Sequence, residues 1–102
     1  MSAYFVFIRE KTLDESELAH YWESVGATMQ GRDIKVLAAY GHHEVFEGPA
    51  TEGVVIAQFP SMEAAKAWYN SPAYSEARQH RLKGSVYRAI LVEGVPPAES
   101  RD

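Results

Sequence analysis

Residues 59–81 read Phe-Pro-Ser-Met-Glu-Ala-Ala-Lys-Ala-Trp-Tyr-Asn-Ser-Pro-Ala-Tyr-Ser-Glu-Ala-Arg-Gln-His-Arg. A strand closing on Phe59 passes through Pro60 to Ser61, whose hydroxyl is suited to cap a helix that has Glu63 in its first turn. Asn70 and Ser71 interrupt that helix. Pro72 restarts it, because a proline at the first helical position lacks only an N–H that would have had no partner. The segment is therefore a strand followed by a broken helix, with Trp68, Tyr69, Tyr74, Arg78 and Arg81 grouped about the break.

Upstream of it, Tyr4, Val6 and Ile8 alternate with Phe5, Phe7 and Arg9, so a strand over Ala3–Arg9 presents bulky groups on both faces. Asp14 begins a capped helix with acid in its first turn. Leu18, Tyr21, Trp22, Val25 and Met29 form one apolar stripe on it. Gly31-Arg32-Asp33 ends this helix. Ile34 to Glu47 is expected to be mostly extended, with Val36, Ala38 and Tyr40 on one face and a bend at Gly41. Gly48 to Gly53 is a turn, Val54 to Phe59 a third strand, and the two strands should form a hairpin. Ser85 to Glu93 alternates again as a fourth strand.

The order strand, helix, strand, strand, helix, strand predicts an α+β protein: a ferredoxin-like βαββαβ domain over residues 1–95 with a four-stranded antiparallel sheet and both helices on one face. Residues 96–102 are expected to form a flexible tail. Because the strands are apolar on both sides, the second sheet face needs a cover. A second copy of the chain supplies it most simply, as an isologous homodimer that closes a barrel.

Composition narrows the partners. With 14 acidic and 10 basic side chains the net charge is −4, which carries no electrostatic footprint for nucleic acid. RNA-recognition modules share the element order, but Val54 to Phe59 lacks their basic, glycine–aromatic pattern. The chain has no cysteine, so disulfides and thiolate chemistry are excluded and a cytoplasmic location is the default expectation. The N-terminal apolar run is too short for a membrane span and has no basic leader. No phosphate loop, nucleophile elbow or metal-binding pattern occurs, so neither a cofactor nor a metal is expected.

Glu47-Gly48, Phe59-Pro60-Ser61, Ala64-Ala65, the run Trp68-Tyr69-Asn70-Ser71-Pro72-Ala73-Tyr74, Arg78 and Val92-Glu93-Gly94 together resemble the domain of unknown function 1330 family, over Tyr4 to Gly94. That family falls within the dimeric α+β barrel superfamily. The resemblance implies a homodimer and no established activity. Relatives across the superfamily include monooxygenases without cofactors, lactone isomerases, haem-degrading enzymes and stress-responsive domains, so the fold alone does not transfer a function. Many family members have a Gly-Gly-Arg turn after the first helix, where this chain has Gln30-Gly31-Arg32-Asp33.

Candidate chemistry gathers on His42-His43-Glu44, read as part of the second strand, and on the broken helix. An imidazole at His42 or His43 would move a proton, and Arg78 would hold a carboxylate or developing enolate. Tyr40, Trp68, Tyr69, Tyr74 and Arg81 would form the ligand-binding surround. Each has a plainer explanation. One histidine can be solvated and the other bonded to a tyrosine or glutamate at the sheet edge, Arg78 and Arg81 can pair with Glu47, Glu93 or a helix C-terminus, and Trp22, Trp68 and Tyr69 lie at core spacing yet can still wall a pocket. His20 and His80 read as surface residues, and the acids at 14–17 as helix capping. The residues thus leave two functions open. One is a small-molecule-binding enzyme acting on an aromatic or enolisable acid by proton transfer; the other is a non-catalytic dimeric module that binds a metabolite or only assembles.

Overall fold

Phe5 and Phe7 organise the interior. A computed structural model describes residues 1–96 of the chain; residues 97–102, most of the expected tail, lie outside the described residues. The elements are β1 (Ala3–Thr12), α1 (Glu15–Thr28), β2 (Lys35–Ala39), β3 (Gly53–Phe59), α2 (Met62–Tyr69), α3 (Pro72–Gly84) and β4 (Ser85–Glu93). The strands form one antiparallel sheet in the order β2-β3-β1-β4. This is the ferredoxin-like βαββαβ arrangement, its second helix divided into α2 and α3.

Strand register sorts the side chains by face. Phe5 lies between Ala57 and Leu91, and Phe7 between Val55 and Ala89. Phe5, Phe7, Ala57 and Phe59 are buried beneath the helices with Tyr21, Ala65, Trp68, Tyr74 and Ala77. Phe5 stacks on Phe7 and Tyr69 at 5.1 and 5.4 Å between centroids and meets Phe59 and Trp68 edge-on at 5.8 and 5.9 Å. Aromatic pairs in these geometries add stabilisation beyond the area they bury. On the opposite face Val6 is flanked by Ile56 and Ile90, and Tyr4 by Gln58 and Val92. Ile90 and Val92 are 40% and 50% exposed, so this second face is apolar and open in the single chain.

The helices begin where the polar residues direct. Asp14 accepts from the amides of Ser16 and Glu17 at 3.0 and 3.3 Å, and bonding with Ser16 holds its carboxyl below the usual range. Ser61 accepts from the Ala64 amide at 3.0 Å. At the break, the Ser71 hydroxyl accepts from the Tyr74 amide at 3.2 Å and donates to the Trp68 carbonyl at 2.7 Å, with Pro72 next in line. One serine thus ends α2 and starts α3. The turn brings Trp68 and Tyr74 to 4.0 Å between ring centroids.

The second strand is shorter than its composition predicts. It stops at Ala39 because Tyr40 adopts a left-handed backbone, φ 57°, and residues 40–52 form a connecting loop rather than an extension to Glu47. The faces also differ from strict alternation. Val36 pairs with Ala57 and Ala38 with Ile56, across a register shift at Leu37, so Val36 and Ala38 lie on opposite faces.

Replacing Ser71 with alanine should lower unfolding free energy by about 1 kcal/mol, the usual cost of losing an N-cap. Phe5→Ala should cost about 3–5 kcal/mol through the cavity it leaves. Urea denaturation with an unchanged m-value measures both.

Candidate functional site

Arg81 is the least expected member of the core. It lies on the last turns of α3, is only 3% exposed, and its Nε has no hydrogen-bond partner. Its guanidinium carbon sits 5.5 Å from the Phe7 ring centroid and 5.0 Å from that of Tyr87. Aromatic faces attract a cation. They do not neutralise it, and a buried charge without a counter-ion carries a large desolvation cost. Among the described residues the ion pairs are Arg9–Glu52, His42–Glu44 and His80–Glu17; none involves Arg81.

Arg81 borders a cavity of about 200 Å³ between α1 and the sheet. Phe7, Val55, Ala57 and Phe59 form its floor, Tyr21, Trp22, Val25 and Met29 its roof, and Ile34, Val36, Trp68, Tyr40 and Tyr87 its remaining walls. The walls are almost wholly apolar apart from Arg81 and three tyrosine hydroxyls. Small-ligand sites are commonly built this way, from apolar walls and a few placed polar groups.

Those hydroxyls are paired. Tyr21 and Tyr74 meet at 3.0 Å between oxygens, with Tyr74 fully buried behind Arg81, and Tyr40 hydrogen-bonds Tyr87. Burial pushes the Tyr21, Tyr40 and Tyr74 phenols above their ordinary value; the neighbouring hydroxyl adds to this for Tyr21 and Tyr40. Burial works against the Arg81 charge, but Tyr74 and Tyr21 outweigh it and raise its pKa. At neutral pH the site is therefore one cation surrounded by protonated phenols.

Tyr40 reaches this cluster by lying across the last row of the sheet. Gly53, Arg9 and Tyr87 are register partners there. A Cβ on Gly53 would overlap the Tyr40 ring, so glycine is what admits it. Arg9 stands 4.8 Å over the ring while bound to Glu52 at 3.1 Å, and Trp22 meets the ring edge-on at 5.1 Å.

Of the residues singled out in the sequence, Tyr40, Trp68 and Arg81 share this cavity, and Tyr74 sits behind it. Trp68 is buried and donates from its indole N–H to Thr28 at 3.1 Å. Tyr69 packs on Phe5 and stacks with Arg78, whose guanidinium lies 4.5 Å from its ring and donates to its carbonyl at 3.3 Å. His42 and His43 are not on the second strand, because the chain has already turned at Tyr40. Both are exposed in the loop, His42 against Glu44 at 3.3 Å and His43 donating to the Thr51 carbonyl at 2.9 Å. His42, His43 and Arg78 do not border the cavity. Tyr21 and Tyr87 do, and the sequence reading left them out. The signal available was a tyrosine within an apolar stripe, whose hydroxyl needs a partner when buried. Among the described residues no group of three or more histidine, aspartate or glutamate side chains is placed to hold a metal, and no helix is long and apolar enough to cross a membrane.

A four-stranded sheet with helices on one face and a cavity beneath them defines a ferredoxin-like α+β protein. Residues 2–95 match the family described as Domain of unknown function (DUF1330), and the chain belongs to that family. Among solved structures it is similar to a protein of unknown function from Rhodopseudomonas palustris, 22% identical over 94% of this chain and 84% of that one, with a TM-score of 0.69. It is also similar to a dimeric protein of unknown function and ferredoxin-like fold from Bacteroides fragilis (14% identity, 91% and 96% covered, TM-score 0.61). A third is SnoaB, a cofactor-independent oxygenase from Streptomyces nogalater (9% identity, 95% and 96% covered, TM-score 0.59). At these identities the likeness is one of fold. No curated protein matches the chain in sequence.

Because buried phenols are held above their ordinary pKa, their stabilisation is intact below the unfolded value of about 10 and is lost as pH rises past it. Thermal melts should therefore fall steeply above about pH 10, and Tyr21→Phe should flatten that fall. An unchanged slope in the variant would contradict this reading.

Proposed function

We propose that the protein is a homodimeric small-molecule binder whose cavity takes an aromatic or enolisable acid as its anion, with the carboxylate or enolate on Arg81. The observation that carries this is the buried Arg81, with no acidic partner and an unpartnered Nε, on the border of an apolar cavity. An anion there replaces the missing counter-ion, and charge-assisted hydrogen bonds to a guanidinium are among the strong ones. Size supports a single ring: a cavity of roughly 150 Å³ holds benzene, and about 200 Å³ leaves space for a substituent.

On the enzymatic form of this reading, a proton leaves carbon beside a carbonyl and the enolate is held by a cation. The sequence assigns the proton transfer to His42 or His43 and the charge to Arg78. The cavity favours Arg81 for the second part, since Arg78 is engaged with Tyr69 away from it. The Tyr21 and Tyr40 phenols, pushed above their ordinary value by burial, keep their protons at neutral pH, so they serve as donors to an oxyanion and not as bases. Binding is therefore the primary role, and catalysis needs a base brought from outside the cavity walls. SnoaB, a cofactor-independent oxygenase, has a similar fold, which lends support to an enzymatic form of the reading.

The homodimer is supported by the open apolar face around Val6, Ile56 and Ile90 and by the dimeric neighbour from Bacteroides fragilis. Sedimentation at micromolar concentration should give twice the 11.4 kDa chain mass; a clean monomer would overturn the dimer.

Calorimetric titration tests the ligand class. Benzoate should bind about tenfold or more tighter than neutral benzamide, and Arg81→Met, which removes the cation, should abolish most of that difference. Equal affinities for the two, or no binding of benzoate, would sink the proposal.

A further inference from the structure

A second polar group borders the cavity beside Arg81, whose guanidinium carbon lies 5.0 Å from the Tyr87 ring. Tyr40 and Tyr87 both border the cavity and hydrogen-bond each other. A hydroxyl has one hydrogen to give and two lone pairs to accept with. In a pair, one oxygen donates and the other accepts, so the accepting tyrosine keeps its own hydrogen without a partner in that bond. The same count applies to Tyr21 and Tyr74. Each pair therefore keeps one hydrogen and three lone pairs outside its own bond, in a space where buried polar groups are ordinarily satisfied.

The Tyr40 side of this pair is also held rigidly. Tyr40 holds a left-handed backbone, its ring occupies the space that Gly53 leaves, and Arg9 and Trp22 fix it from two sides. Placement of this kind, with a side chain locked by its surroundings, discriminates between ligands at low entropic cost. A site that hydrogen-bonds a ligand oxygen rejects the analogue lacking it, because the site's own polar group is then left unpaired.

We infer that the ligand carries two oxygen functions: an anionic one held by Arg81 and a second acceptor oxygen, a hydroxyl or carbonyl on the same ring or chain, read by the Tyr40–Tyr87 pair. This rests on the acid-binding reading of the cavity and narrows it from simple aromatic or enolisable acids to hydroxy- or oxo-substituted ones. Tyr40 and Tyr87 are then specificity-determining residues.

The test is a calorimetric panel of benzoate and 2-, 3- and 4-hydroxybenzoate against the full chain and its Tyr40→Phe/Tyr87→Phe double variant. At least one hydroxy isomer should bind the unmodified protein about tenfold tighter than benzoate, and the ratio should collapse to within about twofold in the double variant. Should that variant fail to fold, Tyr87→Phe alone is read in its place, with a ratio reduced at least about threefold. If benzoate binds and no hydroxy isomer exceeds it, the inference fails and the acid site stands. A preference that survives loss of the hydroxyls also overturns it. If benzoate itself does not bind, the acid site fails and the inference with it.

Discussion

Arg81 places a positive charge inside an aromatic core, and much of the helix-side architecture keeps that charge in position. The guanidinium is set between Phe7 and Tyr87, with Tyr74 beside it, and Arg81 borders a cavity roofed by α1. A cation buried this far remains charged only where its surroundings favour it, and here phenol oxygens and ring faces do so without a carboxylate.

Local devices hold the geometry. Ser71 ends one helix and starts the next, so that Trp68 and Tyr74 meet face to tilted face and α3 runs on to Arg81. At the far end of α3, Gly84 lies so close to α1 that a Cβ would press on the Asp14 carbonyl and the Leu18 amide; its own carbonyl accepts from Leu13 and Asp14. The pair Glu17–His80, at 2.8 Å, joins the same two helices on the surface. The roof and the back wall of the cavity are thereby fixed to one another, and Gly53 allows Tyr40 to close the remaining side.

The fold was legible in the chain because its signals are local and periodic. Alternating apolar residues in β1, β3 and β4, the stripe on α1, and the Ser61 and Ser71-Pro72 boundaries each act over a few residues, and each appears where its chemistry places it. The end of β2 was not legible, since the left-handed turn at Tyr40 depends on a distant partner, Tyr87, and on the space above Gly53. That turn also separates His42 and His43 from the sheet. The candidate site was half legible for the same reason. Arg81, Trp68 and Tyr40 could be nominated by residue type, whereas the roles of Tyr21 and Tyr87 come from pairings 53 and 47 residues apart along the chain.

A crystal structure of the protein grown with benzoate tests the central claim most directly. The account predicts a carboxylate within hydrogen-bond distance of the Arg81 guanidinium, Nε included, with the ring lying in the cavity beneath Tyr21 and Trp22. A cavity closed by side chains, or Arg81 already paired with a carboxylate from a second copy of the chain, would contradict it.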